Sequence, residues 1–276
     1  MRWTLIVASL YLGVLPAAAQ ELGPASSCKR WRSLLDPLPR ACLDPIETDR
    51  PHLTDTAHTV DPGHFLLETE LVAYAGSRGD EQGRPRTLGA MLMLAKLGLL
   101  TGVDLQLGYD AFSLRWANGS HDMSAGDELF LRLKVNLFGG NHGRVSLTVA
   151  PVFQVSLTGD GLDAGGIALL GTDLPAEVEL EVNLSLLSQR DSAGDNRFTI
   201  IPALALTREL FPRFALFGEV YAETWRARGE TEWLGVFASG LLYQLAHDWQ
   251  LDGGVRVGLN DRAPPYELFL GLSFRI

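Results

Sequence analysis

The chain has 276 residues, of which 46% are hydrophobic and 20% are charged, and its formal net charge is −10. With a mean hydropathy close to zero, it is neither a bundle of transmembrane helices nor a disordered polypeptide. The acidic balance, without any run of lysine or arginine, argues against nucleic acid as a partner. The length fits one large β domain or two ordinary domains.

Residues 1–19 are predicted to be a secretory signal peptide. A positive start at Arg2 precedes the apolar segment Leu5–Leu15 and an alanine cleavage motif that ends at Ala19. The apolar segment is shorter than the roughly 20 residues that a transmembrane helix needs. We also expect no transmembrane helix further along, because Lys96 interrupts the most apolar later run.

A proline-rich, irregular arm is predicted for residues 20–63. It contains both cysteines of the chain, Cys28 and Cys42. In an exported protein such a pair is more often a disulfide than a metal site. Closing a loop of about 15 residues would contribute roughly 3 kcal/mol to stability. We expect the arm to lie inside the domain that follows or beneath it.

Alternation of apolar and polar residues begins at residue 64 and continues to residue 276. It is clearest in Gly126–Gly159, where the turn Gly139–Gly143 joins two alternating arms into a hairpin with one apolar face. The pattern therefore predicts one domain, residues 64–276. Its strands are predicted at residues 64–76, 86–98, 102–115, 127–138, 144–158, 163–172, 177–188, 197–208, 214–226, 231–245, 249–260 and 266–276.

The links between these strands alternate between short and long, as the two rims of a closed up-and-down barrel require. Leu99–Thr101 and Gly139–Gly143 are short, whereas Ser77–Pro85 and Trp116–Gly126 are longer and polar. Keeping the alternation through residues 159–189 requires twelve strands rather than eleven. An even number of strands is the rule in bacterial outer-membrane barrels.

Aromatic residues form two bands near the strand ends, as in the interfacial girdles of membrane barrels. One band beside the long links holds Trp116, Trp225, Trp233 and Tyr266, and the other, beside the short turns, holds Phe138, Phe211, Phe214, Tyr243, Trp249 and Phe274. We therefore predict an all-β fold: a single transmembrane antiparallel up-and-down β-barrel. Closure is favoured because an unpaired strand edge in hydrocarbon has no water to satisfy it. A soluble two-sheet sandwich is the alternative.

The polar face of each strand is predicted to line the lumen, because a lysine or arginine facing lipid costs about 2–4 kcal/mol. The candidate lumen-lining residues are Glu68, Glu70, Asp104, Arg132, Lys134, Glu177, Glu179, Glu181, Glu219, Glu223, Asp252 and Arg256. Either they pair across strands and fill the interior, or they line an aqueous path. Twelve strands fall between small filled barrels and wide open ones, so we expect a narrow or partly plugged pore.

Three of these residues, Glu177, Glu179 and Glu181, are predicted to share one face of one strand. Arg132 and Lys134 are their candidate counter-charges.

Short matches spread along the chain carry a family resemblance. They comprise Thr48–Pro51, Pro62–Phe65, Leu97–Leu99, Phe217–Glu219, Gly258–Asp261 and Gly271–Arg275. On these residues the chain resembles the bacterial family labelled MetA-pathway of phenol degradation. The resemblance implies an outer-membrane, transporter-like barrel and the uptake of aromatic or other hydrophobic compounds.

The predicted function is passive uptake of a small compound across the outer membrane of a Gram-negative bacterium. Alternatives are a non-conducting structural or adhesion barrel and a barrel-embedded lipid-modifying enzyme. The enzyme is disfavoured because none of the 6 histidines falls mid-strand beside a serine and no Gly-x-Ser-x-Gly motif occurs. We predict no catalytic residue, cofactor or metal. The expected partners are outer-membrane lipid, a small-molecule cargo of unknown identity, and the barrel-assembly machinery during biogenesis.

Overall fold

The computed structural model describes residues 28, 30–50, 53–76, 86–117, 120–124, 126, 128–157, 162–190, 196–227 and 230–276. The predicted signal peptide lies outside this part of the chain. Among the described residues, no helix has the length and apolar character needed to cross a membrane. The helical elements found there are short 3-10 turns at Arg40–Cys42 and Gly140–His142.

Within the described residues, thirteen strands form one antiparallel sheet. They are β1 Phe65–Gly76, β2 Arg86–Leu100, β3 Val103–Ala117, β4 Ser120–Ser124, β5 Glu128–Phe138, β6 Val145–Ser156, β7 Leu162–Leu174, β8 Val178–Arg190, β9 Asn196–Phe211, β10 Phe214–Ala227, β11 Glu230–Ala246, β12 Trp249–Gly258 and β13 Glu267–Arg275. Each strand pairs with its neighbours in chain order, except that β3 pairs with both β4 and β5.

The sheet closes into a barrel because the first strand pairs with the last. β1 and β13 pair from Leu66 opposite Arg275 to Ala75 opposite Glu267, and β1 also pairs with β2. Twelve strands make up the closed ring, as the alternation of link lengths predicted. Closure pairs the first strand of the ring with the last, as strands in hydrocarbon require.

The predicted long link at residues 116–126 contains the additional strand β4. β4 pairs with Ser113–Ala117 at one end of β3, while β5 pairs with Val103–Tyr109 nearer the other end. The prediction of a loop here was wrong because β4 is polar and shows no apolar alternation, which was the signal used to find strands.

Burial along the strands is inverted relative to a soluble sheet. In β5, Leu131 and Leu133 are 42% and 36% exposed, whereas Arg132 and Lys134 between them are 6% and 1% exposed. The same contrast recurs around the ring, where large apolar side chains face outward and charged ones face inward. A two-sheet sandwich would bury the leucines and expose the charges, so the alternative does not fit.

Outward aromatic rings mark both ends of the barrel. At the end with short turns (the short-turn rim), Phe214 stacks on Tyr243 with ring centroids 4.4 Å apart, and Trp249 stacks on Phe274 at 4.8 Å. Trp225 differs from the prediction: it pairs in register with the fully buried Thr199 and therefore faces the lumen. The outward bands match the two interfaces of a bilayer.

Candidate functional site: the arm-filled lumen

The inward face of the barrel carries charged side chains that are almost completely shielded from solvent. Glu68, Asp104, Lys134, Glu219 and Asp252 are each 0–1% exposed. An isolated charge in such a place would be strongly unfavourable unless it were paired and hydrogen-bonded. Most of the pairing groups come from the N-terminal arm, which runs inside the barrel.

The arm first crosses the short-turn rim. Its first part, Cys28 with residues 30–42 (the rim loop), is closed by a Cys28–Cys42 disulfide. The Leu34 N–H donates to the Leu99 carbonyl at the end of β2 at 2.7 Å. Further on, the Ile46 N–H donates to the His247 carbonyl in the β11–β12 turn at 3.2 Å. The rim loop is thus attached before the chain enters the lumen.

Residues 47–50 and 53–60 (the lumen segment) then lie inside the barrel, and the chain returns to the same rim. The return is fixed where the Leu38 N–H donates to the Pro62 carbonyl at 3.0 Å. Gly63 has φ +80°, and a Cβ there would strike Pro37. Entry and exit of the segment therefore pack against each other, and only glycine suits that position.

Asp49 is the anionic centre of the lumen segment. Its carboxylate lies 2.5 Å from Lys96 Nζ, 2.9 Å from Lys134 Nζ and 3.2 Å from Arg132 Nη2. Burial by itself raises the pKa of Asp49, but the three cations outweigh it and hold that pKa well below its ordinary value. Asp49 therefore stays ionised and binds cations from β2 and β5 together.

Arg50 provides the complementary cation. Its guanidinium lies 3.2 Å from Glu70 on β1 and 3.1 Å from Asp252 on β12. The backbone N–H groups of Asp49 and Arg50 donate to the Glu68 carboxylate at 3.1 and 3.2 Å. Adjacent residues of the arm thus bind opposite charges of the wall, which fixes the segment in one orientation.

The upper part of the segment extends these contacts across the lumen. Both the backbone N–H and the hydroxyl of Thr54 donate to Glu219 Oε1 on β10 at 2.6 Å. Asp55 forms an ion pair with Arg132, whose Nη2 lies 3.3 Å from Asp55 Oδ1. The segment therefore spans the lumen from β5 to β10.

On the way back, the segment bonds to β3 and β6 through its main chain. The Thr148 hydroxyl donates to the Ala57 carbonyl at 2.5 Å. The Val60 N–H donates to the Asp104 carboxylate at 2.8 Å. Because the lumen segment is bonded to strands on several sides of the barrel, it forms a plug in the lumen.

The plug leaves a cavity of about 650 Å³ at the short-turn end of β7–β11. Its lining is mainly acidic. The carboxylates are those of Glu47, Asp173, Glu177, Glu179, Glu181 and Glu209, and the cations are Arg50 and Arg213. Because Glu177 and Arg213 belong to turns of that rim, the cavity is a vestibule that opens on the short-turn side.

Above the plug, toward the long links, the lumen combines charged and aromatic groups. Arg256 lies 3.0 Å from Glu70 and its guanidinium stacks 4.2 Å from the Phe269 ring centroid. Nearer the opening, Arg197 bonds Glu223 at 2.9 Å and lies 4.5 Å from the Trp225 ring centroid. This opening therefore presents aromatic rings and paired charges, unlike the acidic vestibule below.

The structure separates the predicted lumen residues into three groups. Glu68, Glu70, Asp104, Arg132, Lys134, Glu219 and Asp252 bind the lumen segment; Glu177, Glu179 and Glu181 line the vestibule; Glu223 and Arg256 lie above the plug. Most wall charges beside the segment pair with the arm rather than across strands. Pairing between strands dominates only above the plug.

Two details of the prediction were wrong. Glu177 lies in the β7–β8 turn with φ 56°, so it does not share a strand with Glu179 and Glu181. Arg132 and Lys134 form ion pairs with Asp49 and Asp55 of the arm, which the prediction did not include. The second difference arises because the arm brings carboxylates of its own next to these cations.

Sequence reasoning missed the arm residues that form the plug, and it missed Lys96. That lysine was read as an interruption of an apolar run, yet its parity within β2 directs it inward beside Asp49. A usable signal was present: Asp49, Arg50 and Asp55 are charges in an otherwise proline-rich arm, and they complement unmatched charges on the wall.

Two solved structures share this architecture. The NanC porin matches with a TM-score of 0.52 and 12% identity, covering 76% of this chain and 100% of that one. An outer membrane channel from Pseudomonas putida F1 matches with a TM-score of 0.55 and 12% identity, covering 79% of this chain and 100% of that one. The chain therefore has the fold of a porin-like outer-membrane barrel. No family model and no curated protein match the sequence, so membership of the MetA-pathway family stays a prediction.

Proposed function

We propose that this barrel is a bacterial outer-membrane channel for passive uptake of small compounds, and that its N-terminal arm narrows the path. The observation that carries the proposal is the acidic vestibule of about 650 Å³ beside the plug. Barrels of about eight strands are filled by their own side chains, whereas a ring of twelve strands encloses more space than its own side chains need. Here a separate segment fills part of the lumen and leaves a hydrated space.

Localisation follows from the outward apolar surface with its aromatic rims, which requires a bilayer. A signal peptide cleaved after Ala19 would deliver the chain to that membrane through the barrel-assembly machinery. The structures it resembles are named as a porin and an outer membrane channel, and we extend that role to this chain.

For the cargo we propose a small aromatic or hydrophobic compound. The family resemblance implies this class, and the upper lumen supports it. Phe217 and Phe269 form an inward apolar cluster with Ala73 and Ala238, and Trp225 lies at the opening. Aromatic faces between cations suit a planar ring, including one that carries a carboxylate.

The test is single-channel recording in planar bilayers with the full-length mature protein. We expect small, discrete conductance steps from the wild type. Replacing residues 47–60 by a glycine–serine segment of equal length should enlarge the steps, because it removes the plug and keeps the ring. Glu230→Gln, at the exposed end of β11, is the matched control and should conduct like the wild type.

Absence of conductance from both the wild type and the plug replacement would refute the channel and favour a structural barrel. Heat-modifiable mobility in gels shows whether each variant has folded as a barrel. Cargo is tested separately by swelling of protein-containing liposomes in benzoate or phenol against a sugar of similar mass. Faster entry of the sugar would refute the aromatic preference.

A further inference from the structure

The rim loop has a tip of apolar side chains that are exposed at the protein surface. Ser33 and Asp36 pair through two backbone hydrogen bonds of 3.3 and 2.9 Å, which makes Leu34 and Leu35 the central residues of a tight turn. Leu34 is 42% exposed, Leu35 is 94% exposed, and nearby Trp31 is 68% exposed. Such turn positions are normally occupied by glycine, asparagine, aspartate, serine or proline.

This tip is held firmly, so its exposure is a property of the fold. The buried Arg32 donates to Asp36 at 3.0 Å and to the Pro37 carbonyl at 3.2 Å. The Arg32 N–H donates to the Thr101 hydroxyl at 2.9 Å. With the disulfide closing the loop, Leu34 and Leu35 have no route into the protein interior.

The tip lies next to the lipid-facing surface of the barrel. Ser33 forms a β-bridge with Leu100, the last residue of β2. Leu100 pairs with Val103, and residues paired in this way point to the same face of a sheet. That face is the outward one, because Leu107, four residues further along β3, is 43% exposed. The apolar belt is therefore continuous with the rim loop.

We infer that Trp31, Leu34 and Leu35 form a finger that inserts into the bilayer leaflet at the short-turn rim. Leucine side chains enter the acyl region, and the indole lies at the headgroup level, where tryptophan is enriched. Arg30 lies beside the finger, where it pairs with Asp36 at 2.7 Å and keeps a 60% exposed side chain that reaches toward the headgroup level. The inference requires a barrel in a membrane and is independent of whether it conducts.

The test measures lipid contact of Trp31 in the full-length protein reconstituted into phosphatidylcholine vesicles. Quenching by brominated acyl chains and by aqueous acrylamide is compared between the wild type and Trp31→Phe, and the difference belongs to Trp31. Trp249→Phe gives the matched reference, since Trp249 lies on the outward face of the same rim. We expect the Trp31 and Trp249 contributions to be quenched by brominated lipid to a similar extent.

Strong acrylamide quenching of Trp31 without quenching by brominated lipid would overturn the inference, because the finger would then lie in water. Protection from both quenchers would also overturn it and would show that protein covers the finger, either a second copy or a partner. Failure of the channel experiment changes neither outcome.

A second variant removes the apolar tip. Leu35→Asp should expose Trp31 to acrylamide and remove its quenching by brominated lipid, while heat-modifiable mobility shows an intact barrel. Leu259→Asp, at a 53% exposed leucine directly after β12 on the opposite rim, is the control and should leave the Trp31 signal unchanged. Unchanged Trp31 quenching in Leu35→Asp would contradict the finger; should this variant not fold, the comparison of Trp31 with Trp249 decides alone.

Discussion

Carboxylates on the two sides of the lumen have different surroundings. On one side the plug covers Glu68, Glu70, Asp104 and Asp252, and each of these four accepts a hydrogen bond from an arm residue, as Asp252 does from Arg50. At the short-turn ends of β7–β11 the vestibule separates the plug from the wall, and Glu179 faces that space. Higher on β10, Glu219 belongs with the first group because it binds Thr54. Buried charges need partners, whereas hydrated ones act on the ions around them. The first group should therefore control stability, and the second should control permeation.

The largest effect is expected from Asp49→Asn, which leaves Lys96, Lys134 and Arg132 without their shared anion. Removing one partner of a buried ion pair costs about 3–5 kcal/mol. We expect a loss of that order in the free energy of unfolding, together with larger conductance steps as the plug loosens. Urea unfolding in lipid vesicles measures the first effect.

Glu209→Gln, a neutralisation on the vestibule side, is the control for Asp49→Asn and should change stability by less than about 1 kcal/mol. Equal losses of unfolding free energy in the two variants would show that carboxylates on the two sides of the lumen contribute equally to stability.

A smaller effect is expected from Thr54→Val, which keeps the shape of the side chain and removes its hydroxyl donor to Glu219. A buried acceptor that loses a partner costs about 1–3 kcal/mol. The unfolding free energy should fall by that amount. Thr231→Val, at an exposed position of β11, should leave the unfolding free energy unchanged. A similar loss of stability in this control would show that the effect comes from replacing threonine by valine and not from the hydrogen bond to Glu219.

On the vestibule side, Glu179→Lys should alter selectivity with little loss of stability. Reversing one charge at a hydrated wall changes the local ion concentration, so the reversal potential in a salt gradient should move toward that of anions. The shift should shrink at high salt because the charge is screened. An unchanged reversal potential, or one that moves equally in Glu230→Lys, would contradict an ion path through the vestibule.

The smallest effect concerns Asp248, which fixes the arm to the rim. Burial raises the pKa of Asp248, but hydrogen bonds from Arg275, Arg40 and His247 outweigh it and hold that pKa below its ordinary value. The stabilisation is therefore complete above the unfolded pKa of about 3.9 and is lost as pH falls through the folded value.

The stability difference between the wild type and Asp248→Asn should thus be present at pH 7 and disappear in acid. For a partly exposed pair it should amount to roughly 1 kcal/mol at most. Unfolding measured across that pH range provides the check, and a difference that grows in acid would reverse the sign and refute the assignment.

The barrel could be predicted from sequence because its main determinant is local. Alternation directs each residue to lipid or to lumen, and the rhythm of short and long links then requires closure with an even number of strands. A polar strand such as β4, with the sequence Ser-His-Asp-Met-Ser, shows no alternation of apolar and polar residues and therefore could not be predicted in this way.

The plug could not be placed from sequence because its position depends on matching charges far apart in the chain. Asp49 and Lys134 are 85 residues apart, and nothing local to either residue specifies the other. The same limit explains the error at Arg132 and Lys134: alternation showed that they face inward, but not which carboxylates they meet.

Arg50 also has a consequence for how the ring is completed. Arg50 links β1 and β12, which lie on either side of β13. The barrel closes only when β13 pairs with β1. In a half-assembled, open sheet those two carboxylates would stand apart, and a single guanidinium could reach only one of them. Its two ion pairs therefore favour the finished cylinder over every unzipped intermediate, so that the arm acts as an internal clasp on the joint between the chain's beginning and its end.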